Sequence, residues 1–346
     1  MYAAVWHGPG QENFRLELIE RPEPGPGEVL LQVRRCFFCA MHARAVLVGH
    51  AKHYPPTIFG RMLAGDVASV GANVTNLKLG TRVTVNPERP CGTCFYCLRQ
   101  EFGHCLNPIQ LRPGGMAEFV CIPEPLVNGI YELPSSIPYE FAAYTETLAC
   151  VLQGIDLSGI TLSDCVVIMG DGGVGLTFLQ LVRLRGATKV ILAGKHEGAL
   201  QAALRLGASR VVNVTQDSLL EVVREETQGY GADVAIEAVG SSHTYEQMLT
   251  LLRCGGTGIG FGGMPPGTTF QGDPNLIHYR SLKILGSYRY SPDHFRQALD
   301  LICTKQIDLG PIVTHQVPFS SLTTQAVEIH SQPDCRALAI DMDKKP

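Results

Sequence analysis

The chain has 346 residues, 45% of them hydrophobic and 17% charged, with a formal net charge of −4. That length exceeds what one core usually holds, so two domains are expected. Mild acidity without a Lys/Arg cluster argues against nucleic acid or an anionic membrane as partner, and no apolar run nears the roughly 20 residues that cross a bilayer.

The opening MYAAVWHGPG has neither the basic start nor the apolar segment of a signal peptide, so a cytoplasmic location is expected. The first third reads as β-rich: EVLLQVRRC is apolar and extended, and turn clusters such as RPEPGPGE punctuate it. GDVASVGANVTNLKLGTRVTV continues the pattern with strands between Gly and Asn turns. From about Pro138, PYEFAAYTETLACVLQGI has helical spacing of apolar residues.

Strands then alternate with helices. CVVIMG, KVILAG, RVVNV, ADVAIEAVG and GTGIGFGG read as strands. GVGLTFLQLVRLRG, GALQAALRLG, DSLLEVVREETQ and TYEQMLTLLRCG read as the helices between them. Five strands with helical crossovers predict a doubly wound parallel sheet, an α/β unit inserted between two parts of a β-rich domain. After about Tyr290 the elements are mixed, and CRALAIDM reads as a closing strand.

VVIMGDGGVG places Gly170, Gly172 and Gly175 in G-x-G-x-x-G spacing between a strand and a helix, with Gly173 and Val174 inside the turn. The first glycine permits the tight turn, the second lets the backbone approach a pyrophosphate, and the third lets helix and sheet pack closely. The surrounding β/α units make this a dinucleotide site. The second strand should end in an acid that binds the ribose 2′-hydroxyl. It ends instead in ILAGKH, with Gly194 at that place followed by Lys195 and His196. A missing carboxylate and an added cation favour a 2′-phosphate, hence NADP(H) over NAD(H).

Four of the twelve cysteines, Cys91, Cys94, Cys97 and Cys105, form C-x2-C-x2-C-x7-C. In a reducing compartment such clustering indicates metal ligation rather than disulfides. Four thiolates with no open position make a structural Zn²⁺ site, with an iron–sulfur cluster as the rival.

These features in this order resemble the zinc-containing alcohol dehydrogenase family of the medium-chain dehydrogenases/reductases. The likeness runs through AAVWHGPG, RPEPGPGEVLLQV, PCGTCFYCLRQEFGHC, GGMAEFVCIP, the glycine turn, GADVAIEAVG and LKILGSYRYS. It implies a GroES-like β-rich catalytic domain over 1–145 with a structural-zinc lobe at about 88–108. A Rossmann NADP(H) domain would cover 146–289, and 290–346 would return to the catalytic domain. The active site would lie in the cleft between the domains. The resemblance also implies one structural zinc per chain, a small-molecule substrate and a homodimer or homotetramer.

The catalytic positions depart from the family. Cys39 in CFFCAMHA matches the Cys ligand and Glu146 in YTETLAC the later acid, but in IFGRMLAGDVASVG the His and adjacent Glu fall on Arg61 and Met62. The hydroxyl that begins the family's proton relay is also missing, since Ala40, Met41 and His42 follow Cys39. A guanidinium stays protonated and offers no lone pair, so it is no ordinary zinc ligand. The expectation is a member without the catalytic zinc, in which Arg61 pairs with Glu146 and polarises a substrate oxygen by hydrogen bonding. Hydride would pass to or from C=O/CH–OH, or a polarised C=C or C=N bond. Arg61, His42, Tyr54, Tyr144 and Tyr288 are the candidate acids or bases. The alternatives are a conventional zinc enzyme with Cys36 or His42 as substitute ligand, and a non-catalytic NADPH sensor or scaffold.

Overall fold

The computed structural model describes residues 1–50 and 53–345. The chain divides into two compact units, Met1–Leu148 with Ser291–Pro346, and Ala149–Tyr290.

The first unit carries β1 (Tyr2–Trp6), β2 (Phe14–Leu18), β3 (Val29–Phe38), α1 (Ala40–Val48), β4 (Thr57–Ile58), β5 (Leu63–Val70) and β6 (Arg82–Val85). It continues with β7 (Glu88–Arg89), β8 (Ile109–Gln110), β9 (Phe119–Ile122), α2 (Glu124–Val127), β10 (Ile130–Glu132) and α3 (Tyr139–Ala143). The boundary between the units falls inside α4 (Thr145–Ser158). The second unit holds β11 (Cys165–Met169), α5 (Gly173–Leu184), β12 (Lys189–Gly194), α6 (Glu197–Arg205), β13 (Arg210–Asn213) and α7 (Leu219–Glu226). It is completed by β14 (Ala232–Glu237), α8 (Ser242–Leu251), β15 (Leu252–Gly260), α9 (Pro274–Arg280) and β16 (Lys283–Gly286). The chain returns to the first unit with α10 (Pro292–Cys303), β17 (His315–Pro318), α11 (Leu322–His330) and β18 (Leu338–Asp341).

In the first unit the main sheet runs β10-β6-β5-β3-β18-β17, with β9 also on β3. Its centre is β3, whose alternating apolar residues Val29, Leu31 and Val33 enter the core with Trp6, Phe14, Phe38 and Phe59. Leu30 and Phe37 of the same strand are buried as well, so parts of both its faces are covered. The C-terminal β18 closes the sheet by pairing antiparallel with β3, Ile340 opposite Cys36. The helical pattern after Pro138 is two helices rather than one, α3 and α4, with Tyr144 as the C-cap of α3.

In the second unit the parallel sheet runs β13-β12-β11-β14-β15-β16. The expectation was five strands and the structure has six. The additional β16 is an edge strand with mostly exposed residues, so it lacks the apolar run that marks its neighbours. By contrast all five residues of β11, CVVIM, are buried, as a strand covered on both faces should be. The strand order reverses at β11/β14, which puts a ligand crevice outside their carboxyl ends. Among the described residues no helix is long and apolar enough to cross a membrane.

Candidate functional site

In the second unit the glycine turn leaves β11 at that crevice. Gly170 takes φ +123°, and Gly172 caps α5 with open space where a side chain would stand. A Cβ at Gly175 would collide with the Gly170 carbonyl oxygen, so only glycine lets α5 start so close to the strand end. A cavity of about 440 Å³ follows, lined by Gly170, Asp171, Gly194, Lys195, Val239 and Thr244 among others. Exposed peptide N–H groups at a helix start suit a pyrophosphate, so these residues fit a dinucleotide.

Gly194 does stand at the end of β12, but the place is not without a carboxylate. Asp171, from the glycine turn, is buried there and accepts the backbone N–H of Lys195 at 2.9 Å and of His196 at 2.7 Å through Oδ2. Its Oδ1 and Oδ2 also lie 3.2 and 3.1 Å from His196 Nδ1. The end of β12 itself bears no acid, and the carboxylate beside it comes from the glycine turn after β11. The Asp inside G-D-G was the signal available in the sequence.

In the first unit the two-residue strands β7 and β8 pair Glu88 with Gln110 and pin the base of the cysteine lobe. The sulfurs of Cys91, Cys94, Cys97 and Cys105 all lie within 4.8 Å of one another, with Cys91–Cys97 at 3.9 Å and Cys94–Cys105 at 4.0 Å. Tetrahedral Zn–S bonds of about 2.3 Å put sulfurs about 3.8 Å apart, so the four fit that ion. Backbone N–H groups of Thr93 and Cys94 lower the Cys91 thiol to about 6, and those of Leu106 and Cys97 lower Cys94, while burial raises Cys97 to about 12. Among the described residues this is the only group of three or more His, Cys, Asp or Glu side chains placed to hold a metal.

Cys39 and His42, two of the remaining predicted residues, stand at the start of α1. Cys39 is its N-cap and His42 its third residue, and the two form a reciprocal capping pair. His42 Nδ1 accepts the Cys39 backbone N–H at 3.2 Å and lies 3.4 Å from its sulfur, so the ring proton sits on Nε2. Burial lowers His42 to about 3, helped by His53, His330 and the Arg61 charge; the imidazole is neutral. Burial likewise holds the Cys39 thiol up against the N–H groups of the helix start, and the charge of Glu146, in the first turn of α4, adds to this. His53 is lowered to about 4 by burial and by the charges of His50, Arg112 and Arg61. The Phe59 ring, 5.2 Å from both His42 and His53, fills the space between them.

Arg61, just before β5, gives Nη2 to Glu88 Oε2 at 2.9 Å, and the two side chains are 27% and 11% exposed. Glu146 was the expected partner; the ion pair is with Glu88, because β7 carries that carboxylate directly to the guanidinium. Gln110 Nε2 donates to the same Oε2 at 2.6 Å, and Arg112 Nη2 donates to Gln110 Oε1 at 3.0 Å. No spacing in the sequence links Arg61 to Glu88 or Gln110. Met62 is buried and accepts from Thr147 Oγ1 through sulfur at 3.3 Å. Cys36 is buried on β3, and burial raises it to about 12. Of the tyrosines, Tyr144 is buried against Phe37, whereas Tyr54 and Tyr288 are exposed. Arg61 offers no lone pair to a cation, and the one group of metal-ligating side chains found among the described residues does not include Cys39, His42 or Glu146.

A glycine turn at the reversal point of a parallel sheet, in a chain that also carries a GroES-like β-rich unit and a four-thiol lobe, defines a dinucleotide-dependent oxidoreductase. Residues 25–134 match the alcohol dehydrogenase GroES-like domain, and residues 173–304 the zinc-binding dehydrogenase family. The chain is 30% identical to a D-arabitol-phosphate dehydrogenase of Enterococcus avium, over 90% of this chain and 89% of that one. It is 31% identical to a D-altritol 5-dehydrogenase of Agrobacterium fabrum, over 90% and 92%. Among solved structures, a zinc-binding dehydrogenase of Sinorhizobium meliloti 1021 bound to NADP superposes with a TM-score of 0.89 at 30% identity, covering 98% of each chain. The chain belongs to the zinc-containing alcohol dehydrogenase family of the medium-chain dehydrogenases/reductases and is an NAD(P)-dependent oxidoreductase.

Proposed function

We propose that this protein is an NADP(H)-dependent oxidoreductase that moves hydride to or from a small polar substrate without a catalytic zinc. The Arg61–Glu88 ion pair, standing where the family signature has its His ligand, carries the reading. Relatives that act on a polyol and on a polyol phosphate support a hydroxyl/carbonyl couple as the reacting group, ahead of C=C or C=N. The Sinorhizobium relative bound to NADP and the Gly194–Lys195 turn support the coenzyme. The four cysteines would hold one structural zinc, which ties down a loop with little apolar content. Family membership supports a homodimer or homotetramer, and free cysteines in such number suit the cytoplasm.

NADP(H) supplies or accepts the hydride when bound; the residues of this chain do the rest. A guanidinium held by Glu88 stays charged through the reaction and can donate to a substrate oxygen, stabilising negative charge as it develops. His42, neutral with its proton on Nε2, is a hydrogen-bond donor rather than an imidazolium acid. The thiol of Cys39, kept protonated by burial, does not attack the substrate.

Metal analysis with turnover decides the matter. One zinc per chain, with NADPH-dependent reduction of a ketose or hydroxyketone that survives a chelator sparing the cysteine lobe, is expected. Two zincs per chain, or turnover that stops while the lobe keeps its ion, would refute it.

A further inference from the structure

Gly194 and Asp171 lie 23 positions apart, yet they occupy one space. A Cβ built on Gly194 would overlap the Cβ, Cγ and Oδ2 of Asp171. The missing side chain at the end of β12 is therefore the room into which the glycine turn sends its own carboxylate. Once there, Asp171 is consumed locally. Its Oδ2 accepts two consecutive peptide N–H groups, those of Lys195 and His196, and both oxygens face the His196 ring. These bonds shape the turn leading into α6, and Lys195 lines the cavity beside that turn.

We infer that Asp171 and Gly194 form one interdependent unit that selects the coenzyme, a unit that excludes a strand-end acid at position 194. The inference rests on the NADP(H) reading above. A carboxylate at the end of β12 would normally accept the ribose 2′-hydroxyl and repel a 2′-phosphate. Here that acid cannot be accommodated. Its side chain would have to pass through Asp171, and two carboxylates would then share one small, poorly hydrated space. Asp171 is tied to the turn through Oδ2, which already accepts the Lys195 and His196 peptide N–H groups. The 2′ substituent is left to meet the Lys195 side of the cavity. Asp171 is thus a positioning residue for Lys195 and His196, and coenzyme choice in this chain cannot be changed at position 194 alone.

The test is fluorescence titration of NADPH and NADH on the full chain, with thermal melting as a separate readout of folding. Gly194→Asp should weaken both coenzymes by tenfold or more and lower the melting temperature. Adding Asp171→Ala should restore melting and binding, with preference turned toward NADH by tenfold or more relative to wild type. If Gly194→Asp alone melts normally and turns preference to NADH, Asp171 does not fill the space and the inference falls. It falls equally if the double variant binds and melts no better than the single one. If the wild-type chain binds NADH more tightly than NADPH, the NADP(H) reading fails on its own, and the single and double variants still decide whether the two positions depend on each other.

Discussion

Arg61 Nη2 and Glu88 Oε2 stand 2.9 Å apart across the edge of the cysteine lobe, joining the loop before β5 to the strand that begins the lobe. The pair gives a mostly buried carboxylate its counter-charge, and Gln110 adds a second donor to the same oxygen. Arg61→Ala removes the counter-charge of Glu88, which costs about 1–3 kcal/mol after allowing for its residual exposure. Urea unfolding should show that loss, and Glu88→Gln, which can still hydrogen bond, should show less. Turnover should fall by roughly a hundredfold in kcat in Arg61→Ala, as when a donor to a developing oxyanion is removed. Unchanged kcat would take Arg61 out of the reaction.

The four sulfurs of the lobe are spaced so that they could hold an ion. Cys105→Ser should bring zinc content from one per chain to near zero and lower the melting temperature. Coenzyme binding, built from the other unit, should change little. Iron in place of zinc in the purified protein would reassign the lobe.

One buried and one half-buried imidazole set a pH dependence of stability. His42 and His53 titrate near 3 and 4 in the folded chain against 6.5 when exposed, so the unfolded state binds the extra protons between those values. The sign is that stability is full above about pH 6.5 and falls as pH drops toward 4. Urea unfolding from pH 4.5 to 7.5 should show the fall, and His42→Phe should flatten its slope whatever that variant does to absolute stability. A slope unchanged in His42→Phe would mean this ring is protonated in the fold.

Lys195 lines the coenzyme cavity next to Gly194. Lys195→Ala should weaken NADPH about five- to tenfold and NADH by less than twofold, since only the former carries the 2′-phosphate. Equal losses for both coenzymes would assign the ammonium a general rather than a discriminating role.

What could be read in advance was what short-range chemistry dictates. The cysteine lobe and the glycine turn were legible because their ligands and turn residues sit within fifteen positions of each other. The buried strands of the parallel sheet announced themselves as apolar runs. The edge strand β16 did not, because KILG is mostly exposed and carries no such run. The partner of Arg61 was hidden for a different reason. Glu88 lies on a two-residue strand whose position is set by pairing with β8, a long-range fact with no local pattern. Asp171 was in plain view between two glycines, but its meaning depends on β12 lying alongside β11 in register, Met169 opposite Ala193.

The unequal acidities within the lobe carry a consequence for how the protein ages. Cys91 and Cys94 both sit below the ordinary thiol range and only partly covered, whereas Cys36, Cys121, Cys165 and Cys335 are held well above it. An ion-free lobe would therefore present two partly covered, acidified thiols, each with a second sulfur about 4 Å away. Peroxide would then convert a loss of metal into an oxidised lobe.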